Sequence, residues 1–157
     1  APNPDTADDV LTRAWEAVWI GAPTRTGAAR TNPRTADPGI LAALHALLMA
    51  DLDPTLTPAV LNYGLQPDES LQAILANARV NPMTWAHLPR TYIRTTRDHV
   101  LPPAVQDRMI AEADALAPTN PFDLHSLTTS HLAPITQPAE IADILTATPQ
   151  HNPRWPH

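Results

Sequence analysis

Apolar residues through the first half of the chain fall at helical spacings. Val10, Leu11, Ala14, Trp15, Val18 and Trp19 lie at i, i+1, i+4 and i+5 positions, which predicts one broad apolar face on a helix over residues 7–20, entered from Asp5 and Thr6. Residues 21–38 break the pattern with Gly21, Pro23, Gly27, Pro33 and Pro38 among threonines and arginines, and read as a mobile loop. Asp37-Pro38 opens a second helix through Ile40, Leu41, Leu44, Leu47 and Leu48, which stops at Asp53-Pro54. Two shorter helices are expected over 57–65 and 68–79, separated by Pro67 and with Asp68 as N-cap of the second. The first half is therefore expected to be helical and to hold no strand.

From Arg90 onward the pattern changes. Tyr92 to Thr96 and Phe122 to Leu127 are short runs rich in β-branched and aromatic residues, and helical segments follow each, over 103–117 and 138–147. A strand, a crossover helix and a second strand of this length form a parallel βαβ unit, which belongs to a sheet covered on both faces. Two strands alone do not make such a sheet, so the expected fold is α/β with its remaining strands supplied by another chain. The expected organisation is a helical cap over residues 1–82, a strand-helix-strand-helix part over 83–148 and a proline-rich tail over 149–157.

Composition narrows the chemistry. With 157 residues and 43% apolar content the chain can bury one core. A net charge of −6 and ten basic residues, all arginine and scattered, argue against nucleic acid as a partner. The absence of cysteine removes disulfides, thiolate nucleophiles and cysteine-ligated metals. No apolar run reaches the roughly 20 residues that span a bilayer, and no signal segment opens the chain at Ala1, so a cytoplasmic protein with no membrane partner is expected. The histidines show no metal-ligand spacing, and neither metal nor cofactor is expected.

The candidate chemistry lies where the two strands end. Asp98 stands just past the first β-rich run and His131 just past the second, so parallel pairing can bring a carboxylate beside an imidazole, in the chain order acid then histidine. On the residues alone, Asp98 reads more readily as the cap of the next turn and His131 as a satisfied loop histidine. His45 reads as a core or cap-pocket residue. Trp15 and Trp19 read first as helix packing and second as a substrate wall, and Asp8, Asp9, Arg94 and Arg97 as solvated charges.

Three linked segments change those weights: Pro89 to Asp98, Leu101-Pro102-Pro103 with Gln106 to Ile110, and Ser130 to Pro134 with Pro138-Ala139-Glu140. Residues 50–147 resemble the C-terminal part of the plant methylesterase and hydroxynitrile lyase branch of the α/β-hydrolases, and related bacterial esterase-like proteins. The resemblance implies the C-terminal half of an α/β-hydrolase fold, with Asp98 as triad acid, His131 as general base, and residues 1 to about 80 as the cap. In the lyases of that branch a lysine follows the catalytic histidine. Here Leu132 follows His131 and the chain has no lysine, which favours ester hydrolysis and makes Leu132, with Trp15 and Trp19, a candidate substrate contact.

The nucleophile elbow Gly-x-Ser-x-Gly is absent, and of the serines Ser70, Ser126 and Ser130 none sits at a strand-to-helix turn that could expose it for attack. The expectation is therefore a subunit or cleavage product of a carboxylic-ester hydrolase acting on a small apolar ester, whose serine and oxyanion hole come from a second protein chain. The alternative is a non-catalytic binding module or a degenerate hydrolase fragment, and less so a hydroxynitrile lyase.

Overall fold

A computed structural model describes residues 19–76 and 79–147. The chain divides into two compact units, Ala1–Ala78 and Arg79–His157. The first holds β1 (Trp19–Ile20), α1 (Pro23–Thr26), β2 (Ala28–Thr31), α2 (Pro38–Leu48), a 3-10 turn (Pro54–Leu56), α3 (Thr57–Gly64), β3 (Asp68–Ser70) and α4 (Leu71–Leu75). The strands form an antiparallel sheet with β2 in the middle, Trp19 opposite Thr31 and Ala29 opposite Glu69.

The expectation of a strandless first half is thus overturned at three places. Trp19 and Ile20 are strand rather than the end of a helix, although residues 7–18 of that helix lie outside the described residues. Residues 28–31, expected as loop, are the central strand, and Gly27 turns the chain into it at φ +72°, a left-handed conformation. Asp68 caps no helix. It sits in β3 and takes Arg30 Nε and Nη2 at 2.5 and 2.8 Å, while Ser70 Oγ caps α4 by accepting from Ala73 N. In each case the strand is made by a partner beyond local sequence, β1 by residues 30 and 31 and β3 by β2 about forty positions earlier, and local propensity carries no sign of such partners.

α2 and the 3-10 turn start at aspartate caps. Asp37 Oδ1 accepts from Gly39 N at 2.8 Å and Ile40 N at 3.1 Å, with Pro38 in the first turn, where its missing N–H has no helical partner to lose. Asp53 repeats the device before Pro54. Its bonds from the Thr55 hydroxyl and amide hold its carboxyl below the ordinary carboxylate range. Leu44, Leu47, Leu48 and Met49 between the caps, and Leu61 in α3, are buried.

The second unit runs α5 (Pro82–Trp85), β4 (Thr91–Thr95), α6 (Pro103–Leu116), β5 (Asp123–Leu127), α7 (Ala133–Thr136) and α8 (Pro138–Ala147). β4 and β5 are parallel, in register from Thr91 opposite Asp123 to Thr95 opposite Leu127. The chain is a mixed α and β protein with a small parallel sheet. The predicted strand-helix-strand-helix order is present, with strand ends moved by one residue. The one-turn helix α7 was not expected; Pro134 occupies its first turn, where Ile135 N and Thr136 N both donate to Leu132 O. Among the described residues no helix is long and apolar enough to cross a membrane.

The start of β4 is held by Arg90. Its guanidinium lies 4.4 Å from the centre of the Trp85 ring and 4.6 Å from that of Phe122, and Phe122 meets Tyr92 edge to face at 5.7 Å. The same guanidinium donates to Ala113 O, Asn120 O and Asp114 Oδ1, joining α6 and the entry to β5.

Candidate functional site

Main-chain pairing continues beyond the ends of the strands. Thr96 N donates to Leu127 O at 2.9 Å and Arg97 N to Thr129 O at 3.0 Å. Each loop is therefore held beside the other until Asp98 on one and His131 on the other face across the gap. His131 Nδ1 lies 2.9 Å from Asp98 Oδ2.

Asp98 is 3% exposed and receives four donors. Val100 N and Leu101 N bond Oδ1, both at 2.8 Å, closing an Asx turn that reverses the chain toward Pro102 and Pro103. The Thr95 hydroxyl and His131 Nδ1 bond Oδ2, both at 2.9 Å. A buried carboxylate so surrounded is satisfied only as an acceptor, which places the His131 proton on Nδ1 and leaves Nε2 of the neutral ring as a base. One oxygen of Asp98 thus caps the turn and the other meets His131.

The His131 loop is fixed from below. Thr129 and Ser130 are buried, the Thr129 hydroxyl is 2.6 Å from that of Thr136, and Gln137 Nε2 donates to Thr128 O. α7 begins at once beyond half-buried Leu132. The His131 side chain is 30% exposed against 3% for Asp98, so the ring is the accessible member of the pair. Around it, burial with the Asp98 charge adding pushes the Tyr92 phenol up, and Arg94 grips Asp107 at 2.6 and 2.8 Å. That bidentate grip corrects the reading of Arg94 as a merely solvated charge; it holds the Asp107 carboxyl below the ordinary range.

Of the other expected residues, Trp15 lies outside the described residues and Trp19 is a strand residue of the first unit. His45 Nε2 meets Leu52 O at 2.9 Å and ties α2 to the turn after it. Ser70 is a helix cap, Ser126 lies within β5, and Ser130 is buried beside His131. Among the described residues no three His, Cys, Asp or Glu side chains form a group that could hold a metal ion.

Two residues of the site were not singled out from the sequence, Thr95 and Gln106, although one signal pointed to the second. Gln106 shares a helical face with Ile110, Ala113 and Ala117, so it is a polar residue in an inward position of α6, and it is 1% exposed. A buried amide needs partners, and the end of β4 supplies them. Compared with known families, the chain matches no family model, and compared with curated proteins it matches none.

Proposed function

We propose that these residues supply the acid and the base of a carboxylic-ester hydrolase acting on a small apolar ester, Asp98 as the acid and His131 as the base. The observation that carries this reading is the 2.9 Å bond from His131 Nδ1 to a buried Asp98 carboxylate, with the ring itself accessible. The resemblance of the flanking segments to the methylesterase branch of the α/β-hydrolases supports it, as does Leu132 where the lyases carry lysine. The nucleophilic serine and its oxyanion hole come from polypeptide outside these residues.

His131 Nε2 removes the serine proton as the serine oxygen bonds to the ester carbonyl carbon. The imidazolium then returns that proton to the departing alcohol oxygen as the C–O bond breaks. Water repeats the two steps to release the acid, and Asp98 stays ionised throughout, holding the tautomer and facing the transient positive charge. The test is hydrolysis of p-nitrophenyl acetate by the assembly purified through this chain. His131→Ala is expected to lower the rate by about 10²–10⁴-fold. Activity that survives the substitution overturns the assignment.

A non-catalytic module that holds an apolar partner is favoured by one observation, the large apolar side chains exposed in residues 79–147, among them Met83, Leu124 and Leu145. In that case native mass spectrometry finds no serine-bearing polypeptide with the chain.

A further inference from the structure

Gln106 does more than fill space under β4. Its Oε1 accepts from Thr95 N at 3.0 Å, and its Nε2 donates to Thr95 O at 2.8 Å, to Leu101 O at 2.7 Å and toward Thr95 Oγ1 at 3.1 Å. The amide has one orientation in this setting. Turned over, it would set its oxygen against two carbonyl oxygens and its NH₂ against a backbone N–H.

The Thr95 hydroxyl is thereby committed. It faces the Gln106 NH₂, a group that only donates, and so cannot place its own proton there. Of the two acceptors left, the Gln106 oxygen is at 3.4 Å and already bonded to Thr95 N, whereas Asp98 Oδ2 is at 2.9 Å and charged. The hydroxyl proton points at Asp98. With Oδ1 pinned by two backbone amides, this bond stops rotation of the carboxylate and keeps Oδ2 in line with His131 Nδ1.

We propose that Gln106 is a positioning residue for the Asp98–His131 pair, acting through the Thr95 hydroxyl. The chain of contacts is amide to hydroxyl to carboxylate to imidazole, and it links α6 to the end of β4 and to the loop after β5. Its catalytic consequence rests on the esterase reading above; its effect on the histidine does not.

The test reads the histidine directly, on the whole 157-residue protein labelled with ¹⁵N at histidine, alone or with the polypeptide it binds. In the wild type and in Thr95→Ser, which keeps the hydroxyl, the His131 proton is expected on Nδ1 and slow to exchange. In Thr95→Val, which keeps the volume and removes the hydroxyl, exchange should quicken about tenfold and the Nε2–H tautomer should appear. Gln106→Leu should do the same, and the double variant should be no worse than Thr95→Val alone, since both cut one path. Removing the amide leaves Thr95 N, Thr95 O and Leu101 O without it, so if Gln106→Leu does not fold, Gln106→Asn, which keeps an amide but draws it back by one methylene, is read in its place, and a wild-type tautomer there also overturns the proposal. A wild-type tautomer in folded Thr95→Val overturns the proposal, even where ester hydrolysis is found to need His131. Loss of the Nδ1 proton in Thr95→Val supports it, even where no assembly hydrolyses an ester. Where hydrolysis is found, kcat should fall about tenfold in Thr95→Val at unchanged KM and return in Thr95→Ser.

Discussion

The interiors of the two units are built from opposite materials. Among the described side chains of residues 19–76 the buried ones are Leu44, Leu47, Leu48, Met49, Leu61 and Ala29, with Thr57 the polar exception. In residues 79–147 they are Arg90, Thr95, Asp98, Gln106, Thr129 and Ser130, beside Ala117 and Ala133. Eight large apolar side chains there are exposed, Val80, Met83, Leu88, Met109, Leu116, Leu124, Ile135 and Leu145, while Tyr92, Ile93, Ile110, Phe122 and Leu127 are half-buried; the first unit exposes fewer among its described residues, Ile20, Leu56 and Tyr63. An apolar interior asks only for volume at the right density, and repacks when one methylene is moved. A polar interior asks for partners at fixed distance and angle, because each buried group left alone costs about 1–3 kcal/mol. The second unit's interior therefore defines geometry, and its tolerance of substitution is correspondingly narrow.

Substitutions that respect or ignore chemistry at constant size sharpen this contrast. Leu61→Ala should cost about 2–5 kcal/mol, while Leu61→Met should cost less than about 1.5 kcal/mol, both read as shifts in the urea midpoint at constant slope. Next in size, Arg90→Met should cost about 2 kcal/mol, because three acceptors lose their donor and the Trp85 and Phe122 rings lose the cation over their faces. Arg90→Lys should not restore it, since an ammonium keeps the charge without the planar fork. A second-unit interior that accepted Met at position 90 as readily as the first accepts it at position 61 would break the comparison. The smallest effect belongs to the exposed pair. The Asp107 carboxyl is lowered in the fold by the Arg94 hydrogen bonds, so its contribution is present above the ordinary carboxylate value of about 3.9 and fades as pH falls through the lowered one. Asp107→Asn should flatten the acid side of the stability curve only, and added salt should shrink the difference.

What was legible in the sequence follows the same division. β4, α6, β5 and α8 were readable because each is a run of one propensity bounded by proline or a polar stop, and the meeting of Asp98 with His131 followed from two parallel strands ending one after the other. The antiparallel sheet of the first unit was not readable. Ala28 to Thr31 has little β propensity, and what makes it a strand is backbone pairing with β1 on one side and with β3, from far along the chain, on the other. The helical spacing that ran through Trp19 was overruled at its end by pairing with Thr31. Around the site the ionisable pair was visible, since such residues announce themselves, while Thr95 and Gln106 are common neutral residues whose meaning lies in what they face.

The amide of Gln106 also sets a boundary on the outer margin of β4. Arg90 O and Thr96 N turn toward the β5 side, so by alternation the peptide groups of Thr91, Ile93 and Thr95 turn away from it. At Thr95 both outward groups are already taken by Gln106, whose amide offers the donor and acceptor that a neighbouring strand's peptide would. A strand laid along that margin can dock at Thr91 and Ile93 and must then peel away, so Gln106 is a built-in terminus for sheet growth.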